Sequence, residues 1–198
     1  NGTIILAALY DAAERGVEVK VLIDGVYQPL FIQNEERFDT FSQHENIEAR
    51  FYNPISFRNS YRLNYRMHDK YLMIDKRMYM LGGRNTNDIF LGAHTKGINE
   101  DRDILVYATK AGEGESFQQL EQYFQKIWTE SCCKPYHAKA TKRGGEQLKA
   151  AFQEAQKRYP NIGDYKQWIE ATKETNKITL LANETTPGLK APQVLYAL

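Results

Sequence analysis

The sequence predicts an α/β fold in which a mixed β-sheet is layered between helices. A helix, a tight glycine turn and a buried strand follow one another at the start of the chain. Further on, two short strands flank a polar turn, and a strongly amphipathic helix comes after them. Strands and helices that alternate in this way favour a layered sheet with helices on its faces.

The first helix and strand are predicted from two different periodicities. Apolar residues at helical spacing predict a helix over Thr3–Arg15, which Gly16 closes as the residue after its C-cap. Valines at alternate positions then predict a strand over Val17–Ile23, ended by Asp24 and Gly25. The next segment, Gln28–Asn46, is polar with scattered phenylalanines and predicts a short helix carrying Phe38 and Phe41, and Ile47–Tyr52 predicts another strand.

The middle of the chain predicts a hairpin, a further strand and the clearest helix. Strands are expected over His68–Ile74 and Met78–Leu81, over Asp103–Ala108, and a helix over Ser116–Glu130. The glycine pair that follows Leu81 is expected to break the second strand. Between Asn53 and the hairpin, the Arg-, Asn- and Tyr-rich stretch Ser56–Tyr65 predicts a surface loop or a short helix.

The character of the chain changes after Cys133. Lys134–Asn176 is highly charged and contains helical stretches around Leu148–Tyr159 and Tyr165–Thr175, so we interpret it as a linker or insertion. Lys177–Ala182 is strand-like. Because the chain starts at Asn1 without Met, we expect it to be a piece of a longer protein.

Composition excludes several classes of protein. The chain of 198 residues is 42% hydrophobic, as in ordinary globular proteins, and 26 Lys+Arg against 25 Asp+Glu give a net charge of +1, so no global basic field attracts nucleic acid. No apolar run approaches the roughly 18–20 residues that span a bilayer. The adjacent Cys132 and Cys133 are poorly placed to bridge each other, which indicates a reducing compartment, and His137 alone does not complete a metal site.

One stretch carries side chains suited to chemistry on a phosphodiester. In a strand, His68 and Lys70 point the same way and Asp69 points opposite, with Leu72 and Ile74 expected as apolar packing behind the first two. A neutral imidazole is a nucleophile, and a nearby ammonium stabilises developing negative charge.

Further along the same stretch, two residue types suit phosphate binding. The glycine pair Gly82 and Gly83 lets backbone approach a ligand, and the amide of Asn85 can donate to a phosphoryl oxygen. A second His-x-Lys at His137 and Lys139 lacks the following acid and glycines, so we interpret it as a chance match.

The spacing H-x-K-x4-D-x6-G-G-x-N resembles the HKD signature of the phospholipase D superfamily. It is met by His68, Lys70, Asp75, Gly82, Gly83 and Asn85. Gly83 stands where most members have Ser, a form similar to that of bacterial cardiolipin synthase-like members. The resemblance covers Asn1 to about Cys133. It implies an α-β-α sandwich that is one half of a two-repeat enzyme: residues 1–133 form the catalytic half, 134–176 the linker, and 177–198 the start of a second repeat.

The resemblance also implies a mechanism without metal or cofactor. His68 would form a phosphohistidine, while Lys70 and Asn85, with the glycine pair, would hold the phosphate oxygens. A histidine from a second HKD motif would act as general acid and base, and Asp75 would anchor the hairpin. An acidic residue is expected to orient His68; Asp101 aligns best, and Glu100 and Asp103 are alternatives.

The implied partners are a phospholipid substrate and a second HKD motif, from a C-terminal half or a homodimer partner. We therefore expect a cardiolipin synthase-like phosphatidyltransferase or a phospholipase D at the cytoplasmic face of a membrane, with the fragment itself soluble and weakly active or inactive. The loop Phe57–Arg62 would either meet an anionic interface or be solvated. Alternatives are a nuclease-like phosphodiesterase working as a homodimer, for which the +1 charge gives little support, and a non-catalytic scaffold domain.

Overall fold

The structure is a computed structural model that describes residues 2–27, 35–55, 65–85, 101–161, 163–175 and 177–182. The chain divides into two compact units. The first unit comprises Asn1–His68, Arg84–Asp101 and Cys132–Tyr165. The second comprises Asp69–Gly83, Arg102–Ser131 and Lys166–Leu198. Each unit has its own sheet and its own apolar cluster.

The described residues contain both helices and strands, in mixed order along the chain, which confirms the predicted mixed α/β class. The helices are α1 (Gly2–Glu14), α2 (Glu36–Ser42), α3 (Glu115–Trp128), α4 (Lys142–Arg158) and α5 (Lys166–Glu170). The strands are β1 (Val19–Asp24), β2 (Ile47–Tyr52), β3 (Tyr71–Ile74), β4 (Met78–Gly82), β5 (Asp103–Tyr107) and β6 (Cys133–Pro135). The strands form two three-stranded sheets rather than one.

The sheet of the first unit is mixed and has the order β1-β2-β6. β1 and β2 pair in parallel, from Val19 opposite Ile47 to Asp24 opposite Tyr52, with α2 in the connection between them. β6 runs antiparallel to β2 and was not predicted from the sequence. The predicted α1 and the glycine after it are confirmed, with Gly16 at a φ of 91°.

Three helices share the apolar cluster of this sheet. Phe38 and Phe41 of α2 are buried as predicted, and Phe51 of β2 lies 5.9 Å from Phe38 between ring centroids. Leu148 of α4 is fully buried in the same cluster. Part of the charged C-terminal segment therefore packs within the first unit.

The second unit is an antiparallel meander, β3-β4-β5, with α3 on one face. Asp75 and Lys76 both have positive φ, 49° and 53°, and the N–H of Arg77 donates to the carbonyl of Ile74 at 2.9 Å. Two successive left-handed residues closed by this bond make the tight turn that connects Ile74 to its ladder partner Met78. On the α3 face, Tyr79 packs edge-on to a phenylalanine of that helix.

Several local predictions are wrong. The hairpin's first strand begins at Tyr71 instead of His68. Its partner strand β4 ends at Gly82, so no residue of β4 lies opposite His68. Leu72 and Ile74 are 47% and 40% exposed and are not apolar packing, because α3 covers the opposite face. Residues 177–182 form no strand. The predicted loop at residues 56–64 lies outside the described residues.

Among the helices that the structure describes, none has both the length and the apolarity required to cross a bilayer.

Candidate functional site

The sequence-predicted site residues are divided between the two units. His68, Asn85 and Asp101 belong to the first unit, and Lys70, Asp75, Gly82, Gly83 and Asp103 belong to the second. Glu100, one of the three candidates to orient the histidine, lies outside the described residues.

In the second unit, the hairpin brings Lys70 next to Gly82. The N–H of Gly82 donates to the carbonyl of Lys70 at 3.1 Å, which extends the β3–β4 ladder by one residue. Gly82 also lies opposite Asp103 of β5. Lys70, Gly82 and Asp103 therefore occupy neighbouring positions across the sheet.

Gly82 has a local reason to be glycine. A Cβ built there would overlap Oδ1 of Asp103, would lie 2.7 Å from Cγ of the same side chain and 3.0 Å from the carbonyl oxygen of Arg102. The absent side chain thus leaves the room that the Asp103 carboxylate occupies. Asp103 was an alternative orienting acid, and in the structure its carboxylate lies against Gly82.

The side chain of Asp69 contacts α3, which was not predicted. Its Oδ2 accepts a hydrogen bond from the hydroxyl of Tyr123 at 2.7 Å. The neighbouring Tyr71 has a raised pKa, because it is largely buried and because the Asp69 charge disfavours a phenolate. Side chains alternate along an extended chain, so Lys70 is placed on the face away from α3.

Asp75 occupies the first central position of the hairpin turn. Its φ of 49° is a conformation that Asp and Asn tolerate better than most residues. The turn continues into the sheet edge, where the N–H of Ala108 donates to the carbonyl of Arg77 at 2.7 Å. The backbone conformation at this position therefore accounts for the presence of Asp or Asn there, without a chemical role for the carboxylate.

In the first unit, His68 is exposed and follows a tightly bonded segment. The N–H of Met67 donates to Oδ2 of Asp24 at 2.7 Å, and Nη1 of Arg66 donates to Oδ1 of the same carboxylate at 3.1 Å. Asp24 was predicted only to end a strand, and no role was predicted for Arg66. An acidic residue at the carboxyl end of a buried strand was the one available signal.

Asn85 and Asp101 are half-buried and are linked through Arg84. Nη2 of Arg84 donates to the main-chain carbonyl of Asp101 at 2.7 Å. The residue before Asn85 is thereby tied to the residue that aligned best as the orienting acid. Arg84 was part of the sequence motif, but its contact was not foreseen.

The mixed α/β fold and the HKD-type spacing of residues on and around the β3–β4 hairpin are typical of the phospholipase D superfamily. The family model described as "Cardiolipin synthase, PLD-like domain" matches residues 1–128, and the chain belongs to that family. No solved structure gives a significant match.

Curated relatives agree with this assignment. The chain is 33% identical over 137 residues to "Cardiolipin synthase C" of Escherichia coli (strain K12), which covers 65% of this chain and 27% of that protein. It is 33% identical over 128 residues to "Cardiolipin synthase" of Clostridium perfringens (strain SM101 / Type A), covering 65% and 25%. It is 28% identical over 135 residues to "Cardiolipin synthase 1" of Staphylococcus aureus (strain COL), covering 68% and 26%. The matches span about a quarter of each relative's length.

Proposed function

We propose that this chain supplies one half of the active site of a cardiolipin synthase-like phosphatidyltransferase. In this proposal His68 is the nucleophile, and Lys70 and Asn85 hold the phosphate oxygens of a phospholipid. The supporting observation is the complete H-x-K-x4-D-x6-G-G-x-N motif within a region that matches the family model. The hydrogen bond between Gly82 and Lys70 supports it further, since that bond joins the lysine to the glycine pair of the motif.

The reaction proceeds in two displacements at phosphorus. An imidazole nitrogen of His68 attacks, the P–N bond forms, and the P–O bond to the leaving alcohol breaks while a histidine of a second motif donates a proton to that oxygen. The hydroxyl of an acceptor alcohol then attacks phosphorus and gives its proton to the second histidine. The new P–O bond forms as the P–N bond breaks, which restores both histidines.

The ammonium of Lys70 acts on the charge of the non-bridging oxygens. Negative charge on these oxygens shifts during each displacement, and a fixed cation stabilises it. Gly83 contributes the absence of a side chain, so that the main chain can approach the phosphate. Gly82 was expected to do the same, but its N–H already donates to the carbonyl of Lys70 and its open side holds the Asp103 carboxylate. Asp101 is the proposed orienting acid for His68, with Asp103 and Glu100 as alternatives.

The proposed reaction needs a second HKD motif from outside this sequence. This chain contains a single HKD motif, and the matched relatives are about four times as long as the matched region. A second HKD motif would be supplied by a C-terminal half or by a second copy of the chain. The assay therefore uses the full-length protein that contains this sequence.

The experiment measures cardiolipin and free glycerol formed on phosphatidylglycerol vesicles. His68→Ala is expected to lower the rate at least about 10³-fold, as loss of a nucleophile does in other enzymes. His137→Ala is the matched control, because it removes the exposed histidine of the second His-x-Lys and is expected to leave the rate unchanged.

Three outcomes contradict the proposal. Cardiolipin formation that survives His68→Ala would exclude the assigned nucleophile. Plasmid nicking that depends on His68, without lipid turnover, would favour the nuclease alternative. No turnover on either substrate by the full-length protein would favour a scaffold domain.

A further inference from the structure

A buried carboxylate at the carboxyl end of β1 holds the residues that lead into His68. Asp24 is 6% exposed. Its Oδ1 accepts from the N–H of Val26 at 2.9 Å and from Nη1 of Arg66 at 3.1 Å, and its Oδ2 accepts from the N–H of Met67 at 2.7 Å. A buried charge is costly unless it is paired and hydrogen-bonded, so these contacts hold Arg66 and Met67 in place.

Arg66 extends the same network to the end of β2. Its Nη2 donates to the carbonyl of Asn53 at 2.7 Å, and its Nε donates to the carbonyl of Tyr65 at 2.9 Å. The side-chain amide of Asn53 also donates to the carbonyl of Tyr65, at 3.0 Å. Asn53 is buried and has a φ of 46°. Residues 65–67 are therefore bonded to the ends of both parallel strands.

The two strand ends form a rigid base for this network. The N–H of Gly25 donates to the carbonyl of Tyr52 at 2.7 Å, directly after the last register pair of β1 and β2. A Cβ at Gly25 would overlap the backbone of Pro54. The chain segments that follow β1 and β2 are thus in backbone contact, with no space for a side chain at Gly25.

We infer that Asp24 is a positioning residue for His68. Its carboxylate fixes the Met67 amide, one residue before the imidazole, and fixes Arg66 in the network. A shift of Met67 would move His68 relative to the phosphorus it attacks, and a misplacement of about 1 Å can cost about 10²-fold in rate. The inference rests on the proposed function, because it assigns Asp24 a role only if His68 is the nucleophile.

The test compares Asp24→Asn with wild type in the full-length protein on phosphatidylglycerol vesicles. Asn keeps the shape of the side chain but replaces one accepting oxygen by a donating amide and removes the charge paired with Arg66. We expect kcat to fall about 10- to 100-fold with KM within about twofold, the pattern of lost transition-state geometry. Arg66→Lys, which keeps the charge but loses the planar fork, is expected to show a smaller loss of kcat.

Asp39→Asn is the matched control. It removes the 2.6 Å hydrogen bond from the Tyr136 hydroxyl in the same unit and is expected to lower stability without changing kcat. All variants are assayed at a temperature where circular dichroism shows them folded. Wild-type kcat in folded Asp24→Asn would overturn the inference.

Two further measurements separate this inference from the proposed function. His68→Ala that keeps full activity would contradict the proposed function, whatever Asp24→Asn does. Nitrogen–proton correlation spectra of the 198-residue chain report the His68 imidazole directly. We expect its signals to shift in Asp24→Asn and to stay in place in Asp39→Asn; unchanged His68 signals in Asp24→Asn would overturn the inference without reference to activity.

Discussion

Gly82 and Asp103 lie opposite each other on β4 and β5, and the carboxylate of Asp103 occupies the space that a Cβ on Gly82 would need. The same glycine donates its N–H to the carbonyl of Lys70. A single position of the motif therefore affects both the lysine proposed to bind phosphate and one candidate orienting acid. The effect of a side chain at Gly82 on stability can therefore be measured with and without the Asp103 carboxylate.

Gly82→Ala is expected to lower the free energy of unfolding by about 1–2 kcal/mol, because the added methyl overlaps the Asp103 carboxylate and comes within 3.0 Å of the Arg102 carbonyl oxygen, so these neighbours must move. Gly163→Ala, which meets no atom within 4 Å, is the control. Asp103→Ala removes the overlapping carboxylate, so in the double variant Gly82→Ala should cost about 1 kcal/mol less than alone. Urea unfolding of the four variants measures this. Equal costs of Gly82→Ala with and without Asp103 would show that the overlap is not the cause.

Two adjacent glycines at the start of α4 should respond oppositely to alanine. At Gly144 a Cβ would overlap Oγ1 of Thr40 and lie 2.6 Å from the carbonyl oxygen of Glu36, whereas at Gly145 it would lie 3.5 Å from the hydroxyl of Tyr10. Gly144→Ala should therefore destabilise by about 1–3 kcal/mol, and Gly145→Ala should stabilise by up to about 1 kcal/mol through helix propensity. Thermal unfolding of both variants is the measurement. If Gly144→Ala proves as stable as Gly145→Ala, the close approach of α4 to α2 is wrong.

Substitutions at Asp75 distinguish a conformational role from a chemical one. Asn tolerates the left-handed backbone at this turn position, so Asp75→Asn should keep stability within about 0.5 kcal/mol of wild type and should keep activity. Asp75→Val should lose about 1–2 kcal/mol, because a β-branched residue is strained there. Unfolding midpoints and lipid turnover are measured together. Folded Asp75→Asn without turnover would show that the carboxylate itself takes part in catalysis.

The ion pair between α1 and α4 should make stability depend on acid pH. Nζ of Lys149 lies 2.9 Å from Oε2 of Glu14 and lowers the pKa of that carboxyl below its ordinary value of 4.5. A lowered pKa adds stability above about pH 4.5 that is lost as the pH falls through the folded pKa. Glu14→Gln should therefore be less stable than wild type at pH 7, and the difference should shrink at pH 3.

The control for this pair is Glu146→Gln, a substitution in α4, the helix that also carries Lys149. Glu146 lies 3.8 Å from Lys142 in a highly exposed pair, and such pairs contribute little to stability. We expect no pH-dependent difference from wild type in denaturant midpoints. A Glu14→Gln deficit of equal size at pH 3 and pH 7 would exclude the ion pair as its source.

Alternation along a strand predicted which residues share a face, but not which face is covered. β2 was predicted with its observed ends, because Asn53 and Pro54 end the strand pattern, and Ile47, Ala49 and Phe51 form its buried face. In β3 the same rule correctly separated Tyr71 and Met73 from Leu72 and Ile74, yet the packing was assigned to the wrong side. Which side α3 covers depends on where that helix packs on the sheet, and the local sequence around Leu72 does not indicate this.

Other features depend on contacts between distant residues. β6 has three residues and pairs only as an addition to β2, so its sequence contains no strand pattern. The network of Asp24 joins residues from three separate segments, and each looks ordinary in its own segment. The HKD motif was recognisable because its residues lie close together in the sequence.

The central claim is that His68 bonds covalently to phosphorus. The full-length protein is mixed with phosphatidylglycerol, quenched during turnover under conditions that preserve phosphoramidates, and digested for mass spectrometry. We predict a phosphatidyl adduct on the peptide containing His68, absent in His68→Ala and present in His137→Ala. Steady cardiolipin formation with no adduct at His68, or with the adduct on another residue, would contradict the account.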